Sequence, residues 1–145
     1  MARLSGHQLL PMPRVLSTPV AKLSSSTRLP LRVALWLLDR PHLGQTDSVK
    51  QVAGRLLKRP ARQGVVSAQS RLGQLLCRDC GNTRDRRIGL DLLRQAARAG
   101  DSRAQLTLGQ LCSQPEVNEP KQARHWLELA ANQGQTEAQQ LLKRL

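Results

Sequence analysis

The sequence predicts an all-α fold built from stacked antiparallel helix pairs. Composition is the first observation behind this. Leu and Ala dominate the apolar residues, Phe and Tyr are absent, and Trp36 and Trp126 are the only large rings. Leu and Ala form helices well, and the aromatic residues that favour sheets are almost missing. The second observation is a repeat. Ala96-Ala97-x-x-Gly100-x-x-x-Ala104-Gln105-x-x-Leu108-Gly109 returns 34 residues later as Ala130-Ala131-x-x-Gly134-x-x-x-Ala138-Gln139-x-x-Leu142. It also stands 36 residues earlier as Ala61-x-x-Gly64-x-x-x-Ala68-Gln69-x-x-Leu72-Gly73. A period near 34 with small residues at fixed offsets marks helix pairs, each too thin to bury its own apolar face.

The elements follow in order. Residues 1–29 are rich in Pro, Ser, Thr and Arg without a lasting apolar period, and read as a flexible basic tail. Pro30 suits a first helical turn. A degenerate repeat spans 31–64. Its first helix, 31–40, turns Ala34 and Leu38 inward, and Trp36 covers the end of the stack. Its second, 48–63, is capped by Asp47 or Ser48 and buries Val52, Leu56 and Leu57. Pro60 should loosen its last turn.

The next repeat, 67–100, pairs a helix over 67–78 with one over 84–99, joined by a turn at Gly81. Ala68, Leu72 and Leu75 face inward from the first, and Ile88, Leu92, Leu93, Ala96 and Ala97 from the second. The repeat 102–134 begins with a helix over 102–112, with Ser102 as N-cap and Ala104, Leu108 and Leu111 on one face. A turn at 115–118 leads to a helix that starts at Glu119 or Pro120. This helix buries Ala123, Trp126, Leu127, Ala130 and Ala131 and ends at Gly134. A final helix over 136–145 has no partner, which leaves Leu141, Leu142 and Leu145 half covered.

The recurring residues have physical work. Paired Ala residues let neighbouring helices approach. Gly64, Gly100 and Gly134 allow a sharp reversal after each second helix. Gly73 and Gly109 lie inside helices, where Gly costs about 1 kcal/mol relative to Ala. Such a recurring cost implies a crossing too tight for a Cβ. Gln69, Gln105 and Gln139 also recur, and spacing alone does not fix their partners.

This pattern resembles the Sel-one-like repeat, a tetratricopeptide-like repeat of bacterial and eukaryotic adaptor proteins, over about residues 48–145. The family's acidic position before the second helix is met by Asp85 and Glu119. Its small position is met by Gly89 and Ala123, and its aromatic position by Trp126 but by Leu92 one repeat earlier. Pro60 and Lys143 depart from it. The resemblance implies a right-handed α/α superhelix, a scaffold that binds another protein along a curved face, and no catalysis, cofactor or small-molecule substrate.

Charge offers a second reading. Residues 1–65 hold 11 Lys/Arg against 2 Asp/Glu, a net of +9, and residues 66–145 hold 12 against 8, a net of +4. A basic N-terminal half could attract nucleic acid or an anionic membrane. The near absence of aromatics argues against stacking on single-stranded bases, and a solvated basic surface is the simpler account. The clusters Lys58-Arg59 with Arg62, and Arg84 with Arg86-Arg87, are the candidate polar contacts for a partner. Leu141, Leu142 and Leu145 are the candidate apolar ones, with self-association through the last helix as one outcome.

The chemistry of a catalyst is missing. Cys77-x-x-Cys80 closes a helix, whereas a redox pair of that spacing follows a strand and opens a helix. Zinc needs about four ligands, and adding Cys112 and His125 gives no matching spacing. His125, His7 and His42 have no triad partners at suggestive offsets. The cysteines show no paired rhythm, which fits the cytoplasm. A basic, acid-free N-terminus makes the mitochondrion the alternative, against the four prolines that would break a transit helix.

Overall fold

A computed structural model describes residues 25–78 and 82–145. Among them lie seven helices and no strand: α1 Ser25–Asp39, α2 Asp47–Arg62, α3 Val66–Arg78, α4 Thr83–Arg98, α5 Ser102–Cys112, α6 Pro120–Asn132 and α7 Thr136–Leu142. Each packs on the next in chain order, and α3 also touches α5, as α5 touches α7. The result is a solenoid of helix pairs in which α1, α3, α5 and α7 are first helices and α2, α4 and α6 are second helices.

Each second helix closes in the same way. Gly64, Gly100 and Gly134 have φ of 83°, 95° and 88°, the left-handed region where a Cβ is strained. The N–H after each Gly reaches back to Pro60, Ala96 or Ala130 at 3.0–3.2 Å, and the Gly N–H reaches Ala61, Ala97 or Ala131. This is the Schellman closure. The second lone pair of those same Ala carbonyls is taken by the recurring glutamine. Gln69, Gln105 and Gln139 donate from Nε2 to Ala61, Ala97 and Ala131 at 3.3, 3.1 and 3.4 Å. The repeat signature is therefore one device used three times: the glutamine of each first helix holds the end of the second helix before it.

The core is a row of small clusters, each centred on one fully buried Leu. Leu57 packs among Ala34, Ala53, Ala61, Ala68 and Leu72. Leu93 sits among Ala96, Ala97, Ala104, Leu108 and Leu111. Leu127 sits with Ala130 and Ala138, while Ala131, Leu141 and Leu142 pack around them. Helix crossings are tight where predicted. A Cβ on Gly73 would lie 2.7 Å from Leu93 Cγ and 2.9 Å from the Gly89 carbonyl, and one on Gly109 would lie 2.5 Å from Leu127 Cγ.

Several expectations are corrected. The first helix begins at Ser25, before the expected start at 31, so Pro30 lies inside it and residues 25–29 of the expected tail are helical. Residues 1–24 of that tail lie outside the described residues, as do Cys80 and Gly81. Trp36 does not cover the stack's end. It is 52% exposed, and the Arg40 guanidinium lies 4.6 Å over its ring. Val52 and Ile88 face solvent; the inward residues one step along are Ala53 and Gly89, because the crossing takes a small residue there. The cap of α2 is Thr46 rather than Asp47 or Ser48. Pro60 does not open the last turn of α2, which runs to Arg62 and closes like its counterparts. Asp101, not Ser102, caps α5: its Oδ2 accepts from the Ala104 N–H at 2.8 Å and from Ser70 Oγ at 2.6 Å. The last helix ends at Leu142, and Leu145 lies beyond it.

Candidate protein-docking grooves

The first helices lie against one another and are joined by polar side chains. Gln74 donates to Thr107 Oγ1 at 2.8 Å, Arg78 to Gln110 at 3.1 Å, Gln110 to Glu137 at 2.6 Å, and Gln135 to Ser102 at 2.9 Å. Arg71 completes this face by pairing with Asp39. Burial, then Arg103, pulls its guanidinium below the ordinary pKa, against the opposing effect of Asp101. The second helices are bridged mainly through the first helix between them. That arrangement opens a groove wherever two second helices flank one first helix.

Two such grooves are present, each of about 530 Å³. The first runs between α2 and the start of α4. Its floor is Leu72, Leu75 and Leu76 of α3, and Lys50, Arg55 and Lys58 stand along α2. The second runs between α4 and α6. Its floor is Leu108, Leu111 and Cys112 of α5, and Arg86, Arg94 and Arg98 stand along α4. The two are the same site one repeat apart. A shift of 36 residues carries Lys50 to Arg86, Lys58 to Arg94, Leu72 to Leu108 and Leu75 to Leu111. Asp85 and Glu119, equivalent residues beside the N-termini of α4 and α6, line the far wall of each.

The second groove is the richer one. Trp126 enters it, with its ring edge-on to His125 at 5.0 Å, and Val117 projects from the longer α5–α6 loop. Asn118 in that loop has φ of 46°, a conformation Asn tolerates better than most residues. Cys112 lies at the groove's base. Burial, then Glu119, pushes its thiol above the ordinary pKa, against Arg94. The thiolate is the reactive form. Cys112 should therefore be alkylated more slowly at pH 8 in the folded protein than in urea, and Arg94→Glu should slow it further; quantified labelling by mass spectrometry reads both.

The structure separates the residues singled out from sequence. Arg86 lines the second groove, whereas Arg84 and Arg87 border a shallow hollow with Ile88 and Asp91 on the outer side of α4. Leu141 and Leu142 are half-buried against the last core cluster, and Leu145 is exposed. Gly64, Gly100, Gly134 and the three glutamines act in the helix closures described above. Lys58, singled out with Arg59 and Arg62, lines the first groove, whereas Lys50, Arg55, Arg94 and Arg98 were missed; the 36-residue register that relates the Leu floors pairs Lys50 with Arg86 and Lys58 with Arg94. Cys112 is a free thiol, and among the described residues no three His, Cys, Asp or Glu side chains gather. No helix among those residues is long and apolar enough to cross a membrane.

Neither a curated protein nor a solved structure matches this chain. The Sel1 repeat family matches residues 66–101 and 102–135, the two units whose helix closures and tight crossings are described above. Residues 66–135 are two Sel1 repeats, and the chain is a Sel1-like repeat protein.

Proposed function

We propose that the chain is a non-catalytic scaffold or adaptor that holds another protein against its helical stack. Sel1 repeats generally mediate protein–protein interaction. The observation that supports this role here is the pair of equivalent grooves, each with a Leu floor and charged walls, recurring at the repeat period. A surface of this kind presents apolar anchoring positions inside a polar rim, the usual anatomy of a protein interface. The free thiol of Cys112 supports a reducing compartment such as the cytoplasm.

Cross-linking and pull-down from native lysate tests the role. Recovery of a defined protein partner is expected, and a purified chain that captures none overturns it. We also propose that α7, whose Leu141 and Leu142 are only half-buried, docks a partner or a second copy. A chain ending at Gly134 should then lose self-association or partner capture when sized against the full chain. Unchanged mass, capture and stability reject this.

A further inference from the structure

We propose that the two grooves are successive subsites for one acidic, leucine-bearing segment of a partner protein, laid across them in an extended conformation. This names the partner chemistry for the scaffold role and rests on that reading. Three features argue for it. The first is the floor: in both grooves three residues of one first helix face the opening, and five of the six are Leu. Apolar side chains gain from burial there. The second is the wall: Lys50, Arg55 and Lys58 on α2 and Arg86, Arg94 and Arg98 on α4 stand along the grooves, Lys50 and Lys58 at positions equivalent to Arg86 and Arg94, and this excess over the single carboxylate of Asp47 suits acidic side chains. The third is the opposite wall, where Asp85 and Glu119 stand. A uniform polyanion such as a nucleic acid would meet these carboxylates at every step. A peptide that alternates acids with apolar residues can place the acids on the basic wall only.

Repetition sets the spacing. Helices α3 and α5 touch, so their axes lie ~8–10 Å apart. A polyproline-type chain advances about 3.1 Å per residue and returns to the same face every third residue. Helix α4 stands between the two floors, so the segment passes over it and the leucines entering successive grooves lie more than three residues apart, at multiples of three that keep them on one face. Trp126 gives the second groove the stronger anchor, since aromatic residues dominate interface energetics.

The test uses the full chain and a fluorescein-labelled peptide of glutamate with leucine at every third position, followed by fluorescence anisotropy. Binding is expected to weaken as salt rises. Lys58→Glu and Arg94→Glu, both on exposed side chains, should each weaken it severalfold and together roughly tenfold or more. Arg84→Glu, outside both grooves, should leave it within about twofold. A thermal melt matching that of the unaltered protein excludes misfolding as the cause. Equal binding of the Lys58→Glu/Arg94→Glu variant overturns the proposal. So does equal binding of a peptide with serine in place of leucine, or competition by polyuridylate as effective as that by the leucine peptide, because either shows recognition of charge alone. The scaffold role is read separately by lysate cross-linking. If the variant captures the same partner as the unaltered chain, the role stands and the groove assignment falls. If the unaltered chain captures nothing, the role itself falls.

Discussion

Leu93→Ala is expected to cost about 2–5 kcal/mol of stability, the largest single loss in this chain, because it removes a fully buried side chain from the middle of the stack. The side chain lies at the seam of two repeats. It projects from α4, meets the backbone of α3 across Gly73, and packs with Ala104 and Leu108 of α5. Three of the five other buried residues of its cluster are Ala, whose short side chains cannot swing in to fill the void. The cavity term should therefore fall towards the upper part of the range. A stack of repeats is stabilised by nearest-neighbour interfaces, so the loss should also split the unfolding of residues before and after the seam. Urea unfolding followed by hydrogen exchange reads this. A shift below 1 kcal/mol, or exchange that stays uniform along the chain, would contradict it.

The helix pairs were legible in the sequence because their signals are local. A Gly that must take positive φ, an Ala pair at a crossing and a Leu at i+4 each leave a residue type at a fixed offset. Leu57, Leu93, Ala96 and Ala97 face inward as expected, and the reading slips by one step only in the first half of α2 and α4, for a physical reason. At Val52 and Ile88 a large apolar residue suggests the interior, yet the close crossing admits only Ala53 and Gly89. Size at the contact overrides hydrophobicity. The cap of α5 was placed on Ser102 because Ser is a good cap in isolation; Asp101 takes the position because it also accepts from Ser70 of the preceding first helix. The grooves were harder to see. Lys58 and Arg94 lie far from Leu75 and Leu111 in sequence, and only the packing of second helices on either side of a first helix brings each pair together.

Gly109→Ala should destabilise the protein even though Ala is the better helix former by about 1 kcal/mol. The added Cβ would lie 2.5 Å from Leu127 Cγ and 2.6 Å from Cδ2, inside any real contact distance, and Leu127 is fully buried with nowhere to retreat. Overpacking of this kind costs about 1–3 kcal/mol, so it outweighs the propensity gain. Gly54→Ala in α2 is the control. No atom lies within 4 Å of its Cβ position, and the same substitution there should stabilise by up to about 1 kcal/mol. A double-mutant cycle isolates the cause. Leu127→Ala removes both offending atoms, while the nearest remaining contact, the Ala123 carbonyl at 3.4 Å, is ordinary. In that background Gly109→Ala should reverse sign and raise stability. Sites in contact couple by about 0.5–3 kcal/mol, so denaturant midpoints of the four proteins resolve the effect. Additive losses would show that the glycine serves something other than the approach of α5 to α6.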